Sequence, residues 1–187
     1  MYLLFYIKNS RFKSLKLGGS GKIKLFGFTD ASYITEGDSK GQLGNVFFLN
    51  YNSGAILSLS KKGTTISHSS TEVELKALDL AIRNIIYIRS MLEDMNNKQL
   101  EATTIYIDNN SAIELSKTLK STNRTKHINM RINFIREQIN NNTITLVFIP
   151  TEKYVADVLT KPLSQEKFEK FSNIILSGFN NKDPLSI

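Results

Sequence analysis

The sequence predicts an α/β fold: a mixed, five-stranded sheet covered by helices. Three observations carry this. Three β-patterned runs precede the first long helix pattern, strands and helices alternate after it, and the implied order is β-β-β-α-β-α-α-β-α. A run of strands joined by short breaks gives an antiparallel start, and strands separated by helices add parallel neighbours.

Each element has its own signal. Residues 1–21 read as a short helix or extended segment ending in the flexible Gly18-Gly19-Ser20-Gly21. Residues 22–30 alternate polar and apolar with period two, which is a strand, and the polar, glycine-containing 31–43 is a loop. Residues 44–51 and 54–60 are β-rich runs joined across Asn52-Ser53, a hairpin signal. The strongest element is a helix over 69–94. Ser69 and Glu72 form a capping-box pattern, and Leu75, Leu78, Ala81, Ile82, Ile85, Ile86 and Leu92 recur at helical spacing. Residues 103–108 are a strand, 110–119 a helix and 124–140 a second, basic helix. Residues 144–149 form the last strand, ended by Pro150. Residues 152–160 form a short helix stopped before Pro162, 164–176 form another amphipathic helix, and the last ten residues fray. Tyr106, Phe148, Met91 and Met95 are expected in packing roles, and His68 in local loop structure.

Composition narrows the function classes. The chain of 187 residues contains no cysteine, which excludes disulfides and Cys-ligated metal sites and fits a reducing compartment. No apolar run is long enough to cross a membrane, and the apolar N-terminus carries its positive charges after the apolar run, the wrong order for a signal peptide. The net charge of +7 is unevenly placed: residues 1–27 carry +6 and residues 117–137 carry +5, leaving the remainder acidic. Two basic patches on an otherwise acidic chain suit a polyanionic partner, with solvated surface charge as the alternative.

Four carboxylates stand in informative places. Asp30 and Asp108 end the first and fourth strands, where a side chain points into the crevice in which such sheets bind ligands. The alternative for either is a turn or helix cap. Glu74 lies near the start of the long helix, in line with Leu78, Ala81 and Ile85 on the apolar stripe, where an acid is costly unless paired or bound to a cation. Glu72 is its rival, but the spacing from Ser69 explains Glu72 as a capping residue, so the chemistry is assigned to Glu74. Asp157 interrupts the apolar Val155–Leu159, the alternative being a solvent-facing residue beside Lys153 or Lys161. The four are separated by 44, 34 and 49 residues and fall on strand, helix, strand and helix. Carboxylates converging on one crevice suit Mg²⁺, and two such ions can activate water and stabilise the leaving oxygen of a phosphodiester.

Five blocks then resemble the ribonuclease H domain of copia-type retrotransposon polyproteins. Gly27-Phe28-Thr29-Asp30-Ala31-Ser32 resembles its Gly-Tyr-Ser-Asp-Ala opening, and Ser69–Leu78 its Ser-Ser-Thr-Glu-Ala-Glu-Tyr-x-Ala-Leu block. Asp108–Ile113 is similar to Asp-Asn-Gln-Ser-Ala, and Arg124-Thr125-Lys126-His127-Ile128 to Arg-Thr-Lys-His-Ile. Pro150–Leu163 resembles Pro-Thr-Glu-x-x-x-Ala-Asp-x-Leu-Thr-Lys-Pro-Leu. The ordered set covers about residues 27–163.

The resemblance implies a ribonuclease H-like sheet of three antiparallel strands followed by two parallel ones. It implies cleavage of the RNA strand of RNA–DNA hybrids with two Mg²⁺ or Mn²⁺ ions, leaving a 5′-phosphate and a 3′-hydroxyl. Asp30, Glu74, Asp108 and Asp157 are then the metal ligands and catalytic residues. Arg124, Lys126, His127 and Arg131 are read as phosphate contacts to the hybrid, the alternatives being a solvated helix start and a structural role for His127. The implied organisation is the end of a reverse transcriptase connection over 1–21, the ribonuclease H-like domain over 22–163, and a C-terminal helix and tail over 164–187. The reverse transcriptase of the same polyprotein is a partner, and the setting is cytoplasmic virus-like particles or the nucleus. Two features depart from relatives of this fold: the loop before the last acid, Ile149-Pro150-Thr151-Glu152, has no histidine, and Tyr33 replaces a tryptophan. A catalytically silent fragment that keeps the fold and at most binds nucleic acid is the competing reading. A transposase or integrase is disfavoured by the order of acid types and the lack of cysteine, although the 34-residue step from Glu74 to Asp108 imitates that family's spacing.

Overall fold

The computed structural model describes residues 2–19, 21–33, 40–67, 69–110, 113–114, 126–180 and 182–186. Among these, five strands form one sheet in the order β3-β2-β1-β4-β5. They are β1 (Phe26–Ser32), β2 (Gln42–Phe48), β3 (Leu57–Lys62), β4 (Thr103–Ile107) and β5 (Ile144–Phe148). The first three pair antiparallel, and β4 lies parallel to both β1 and β5. The mixed sheet read from the sequence is therefore the observed one. The helices are α1 (Tyr2–Ser10), α2 (Ser70–Asp94), α3 (Lys126–Asn140) and α4 (Gln165–Ser177). No helix among the described residues is long and apolar enough to cross a membrane.

Strand alternation sends apolar residues to both faces. Phe47, Ile105 and Ile107 meet Leu78, Ile82 and Ile85 of α2 and Ile132 and Ile135 of α3. On the other face Phe26, Phe28, Phe48 and Tyr106 meet Tyr154, Phe171, Ile174 and Phe179. The aromatic rings of this second layer stack on one another, Phe28 lying 4.9 Å from Tyr106 and 5.8 Å from Phe179. Helix α2 starts where the capping pattern places it: the Ser69 side chain accepts a hydrogen bond from Glu72 N at 3.2 Å, a cap worth about 1 kcal/mol. Near its other end, Arg89 donates to Gln99 O, Glu101 O and Thr103 Oγ1, tying the helix to the approach to β4.

Several local expectations are corrected. β1 begins at Phe26, not Lys22, because β2 ends at its partner Phe48 and leaves residues 22–25 without a ladder. The β2–β3 connection is longer than a turn at Asn52-Ser53: residues 49–56 are bound by contacts from elsewhere, Gly54 N to Lys16 O and Ala55 N to Ile175 O. Residues 152–160 form two short 3₁₀ turns, Thr151–Lys153 and Val155–Leu159, separated by Tyr154 in an extended conformation that lets its hydroxyl reach Thr29 O. Met91 and Met95 are 45% and 65% exposed, and Ile86 also faces solvent, since α2 is covered on one side only. Phe148 is 42% exposed because β5 is an edge strand, whereas Tyr106 is buried as expected. The last ten residues hold Phe179 buried in the aromatic layer and Asp183 accepting from Tyr51 Oη. The expected helix over 110–119 lies largely outside the described residues, as does His68.

Candidate active site

The parallel register carries Asp30 to Asp108. Phe28 stands beside Tyr106, and two further residues along both chains the two aspartates lie side by side, Asp30 still within β1 and paired with Gly44 and Asp108 just past the end of β4. The 3₁₀ turn Val155–Leu159 brings Asp157 onto the same point from the aromatic face. One carboxylate oxygen from each of Asp30, Asp108 and Asp157 lies within 4.8 Å of the others. Asp30 and Asp157 are each only 2% exposed, which removes the solvent-facing alternative for Asp157.

The turn can approach because β2 has a glycine there. A Cβ on Gly44, the partner of Asp30, would sit 2.6 Å from Thr160 Cγ2 and 2.9 Å from Leu159 Cβ. Side-chain bonds then lock the turn to the sheet. Tyr154 Oη donates to Thr29 O, and Thr160 Oγ1 donates to Asp30 Oδ2. Ser32 Oγ donates to Thr160 O at 2.9 Å and Ser60 Oγ to Leu159 O at 2.6 Å. Thr151 Oγ1 donates to Asp108 Oδ2 at 3.4 Å.

Glu74 enters from the other face, on α2. Its carboxyl is pushed up to about 9, first by burial and then by the negative charges of Asp30, Asp108 and Asp157, with Lys161 opposing. It therefore faces the aspartates, although it lies outside their tight triad. Glu72 is engaged elsewhere, paired with Lys76 Nζ at 2.9 Å. Burial also raises Asp108, with Asp30 adding to the shift, and burial raises Asp157.

The donor set fits a hard divalent cation. It consists of carboxylate oxygens alone, and buried Asp157 Oδ1 accepts no well-aligned hydrogen bond. Lys161 Nζ lies 2.8 Å from that oxygen, an ion pair by distance whose angles are not those of a hydrogen bond, and 3.8 Å from Asp30 Oδ2. Thr160 was not singled out by sequence reasoning, and Lys161 entered it only as a neighbour of a solvent-facing Asp157. The four-residue step from Asp157 to Lys161 is the signal available for the lysine.

These shifts give a prediction for the protein in chelator. The folded chain holds protons on Glu74, Asp108 and Asp157 more tightly than the unfolded chain does. Their contribution to stability is thus fullest below the ordinary carboxylate range and declines as pH rises through about 9. Thermal denaturation in EDTA should show this decline on the alkaline side, and added Mg²⁺ should reverse it most strongly there. A melting temperature indifferent to Mg²⁺ across that range would contradict the electrostatic account.

Of the predicted basic contacts, Arg124 lies outside the described residues. Lys126 and His127 are exposed at the start of α3. Arg131 leans toward α2, its Nε 3.7 Å from Asp79 Oδ2. His127 and Arg131 line a cavity of about 280 Å³ with Asp79, Arg83, Met130 and Phe134. Arg83, which sequence reasoning missed, stacks its guanidinium over Phe134 at 4.8 Å. Because α3 runs back toward β5, its start lies at the carboxylate end of the parallel strands.

No family-level sequence model matches the chain. It is 33% identical over 175 residues to the retrovirus-related Pol polyprotein from transposon TNT 1-94 of Nicotiana tabacum, covering 93% of this chain and 13% of that protein. It is 31% identical over 155 residues to the transposon Ty1-NL2 Gag-Pol polyprotein of Saccharomyces cerevisiae, covering 80% of this chain and 8% of that protein. The chain thus spans a small part of the relatives it matches. Its fold is similar to that of LC11-RNase H1, solved in complex with an RNA/DNA hybrid, with a TM-score of 0.56, 15% identity, and 79% of this chain and 98% of that one covered. Sequence likeness to transposon polyproteins and a ribonuclease H sheet around converging acids together place the chain: it belongs to the copia-type retrotransposon Pol family, as a segment with the ribonuclease H fold.

Proposed function

We propose that this segment is an endoribonuclease that cuts the RNA strand of RNA–DNA hybrids by two-metal-ion hydrolysis during retrotransposon reverse transcription. The observation that carries the proposal is the buried meeting of Asp30, Asp108 and Asp157, with Glu74 facing them from α2. These four residues would hold Mg²⁺ or Mn²⁺. When bound, such ions supply water activation at neutral pH and stabilisation of the leaving oxygen.

The chain's own residues provide the positioning. Thr160 and Thr151 fix the carboxylates of Asp30 and Asp108. Glu74, whose carboxyl is pushed up to about 9 by burial and the three aspartates, would have to be ionised to serve as a metal ligand, so loading of the site would release protons to solvent. Lys126, His127 and Arg131, with Arg124, would meet the phosphate backbone, giving affinity that falls with salt and carries no sequence preference. Exposed Leu4, Ile7 and Phe12 near the N-terminus support the reading that residues 1–21 adjoin another part of the polyprotein, its reverse transcriptase. The setting we propose is the particle in which the element's RNA is copied, in the cytoplasm or the nucleus.

The test is direct. A labelled RNA–DNA hybrid incubated with folded protein and Mg²⁺ or Mn²⁺ should be nicked in its RNA strand only, leaving 5′-phosphate and 3′-hydroxyl ends. Intact hybrid in both metals would favour the catalytically silent reading.

A further inference from the structure

Lys161 occupies a position that the proposed chemistry does not use. Its Nζ stands 2.8 Å from Asp157 Oδ1 and 3.8 Å from Asp30 Oδ2, between two carboxylates that are almost wholly buried. Among the described residues it is the cation within ion-pair distance of the acidic cluster. Three close carboxylates, with a fourth facing them, repel one another strongly in a site of reduced dielectric. One ammonium offsets part of that repulsion.

The same position puts Lys161 in conflict with a divalent ion. Both would draw on Asp157 and Asp30, and an ammonium beside a dication is repelled by it. The lysine also has somewhere to go. Its side chain is 39% exposed, against 2–3% for its two partners, and its stem is a flexible four-carbon chain. Its 2.8 Å contact with Asp157 Oδ1 is an ion pair whose angles are not those of a well-aligned hydrogen bond. The backbone beneath is fixed independently by Thr160 bonding to Asp30 and by Lys161 N bonding to Asp157 O at 3.1 Å. The ammonium can therefore leave without the turn moving.

We infer that Lys161 is a resident counter-cation of the carboxylate centre, competing with divalent ions for Asp157 and Asp30 and displaced toward solvent when they bind. The inference rests on the proposed metal-dependent reading of the same site. It makes Lys161 a positioning residue: it stabilises the centre before cations arrive and sets the concentration at which they enter.

The experiment is a Mg²⁺ titration of the full chain followed by thermal denaturation, for wild type, Lys161→Met and Lys161→Arg. Lys161→Met should melt lower than wild type in EDTA. Its Mg²⁺ midpoint should fall on the order of tenfold, since the apparent affinity no longer carries the cost of removing the ammonium. Lys161→Arg, which keeps the charge, should stay near wild type in both respects. If Lys161→Met fails to fold, Lys161→Gln, neutral but able to hydrogen-bond, replaces it with the same expectations. An unchanged or raised midpoint in the neutral variant, with wild type responding normally, overturns the inference while leaving the metal-dependent reading intact. A wild type that responds to neither Mg²⁺ nor Mn²⁺ overturns both.

Discussion

Asp108→Asn should abolish nicking of the RNA strand, by at least about a thousandfold, and at the same time raise the melting temperature of the protein in EDTA. The two effects have one cause. Asp108 is half-buried at the end of β4, its carboxyl raised by burial and by Asp30 beside it. Asparagine keeps the shape and can still accept from Thr151 Oγ1, but it removes one of the mutually repelling charges. Solvent screening of a half-exposed group keeps the gain small, a rise of roughly a few degrees in a domain of this size. Mg²⁺ should then stabilise the variant less than the wild type. A gel assay on labelled hybrid and thermal scans with and without Mg²⁺ measure all three effects. Loss of activity together with loss of stability in EDTA would point to misfolding and remove the electrostatic argument.

The largest effect on stability is expected at Phe28. Its ring is fully buried and meets those of Phe26, Phe48, Tyr106, Tyr154 and Phe179, so four other segments of the chain close on its strand. Phe28→Ala should cost about 3–5 kcal/mol, a large share of the 5–15 kcal/mol typical of a domain. The melting temperature should fall by roughly 6–20 °C. Phe28→Leu, which keeps most of the volume, should cost much less. Denaturant unfolding of both variants checks this. Equal losses would mean that the aromatic layer relaxes around the site and does not hold it rigidly.

Much of the site could be read in the sequence because its acids lie on elements with strong periodicity. Glu74 could be separated from Glu72 because an α-helix fixes which residues share a face, and Leu78, Ala81 and Ile85 are buried where that period puts them. Asp108 follows the end of β4 as expected, whereas Asp30 lies two residues inside β1, which pairs with β2 as far as Ser32; their meeting follows from the parallel register of β1 and β4. What escaped the sequence depends on contacts between distant segments. Nothing local to Thr160 shows that it reaches Asp30, 130 residues earlier. Phe148, Met91 and Met95 have the composition of core residues, but their exposure depends on whether another element covers them. Phe179 follows a helix end and reads as tail, yet it fills the space between Phe26, Phe28 and Phe48. Gly178 permits that turn: its φ is +84°, and a Cβ would meet Ser53 and Tyr51 backbone atoms at 2.8 Å.

The strap at the far end of the sheet ties both ends of the chain into the domain. Lys16 N bonds to Leu176 O at 2.8 Å and Lys16 O accepts from Gly54 N at 2.7 Å, so residue 16, the end of α4 and the β2–β3 connection are stitched together. Before the strap the chain runs along α4, with Tyr6 packed edge-on against Phe168, and after it the chain returns to Lys153, whose Nζ donates to Leu185 O at 2.8 Å, so cutting back either end would strip contacts from the body of the domain.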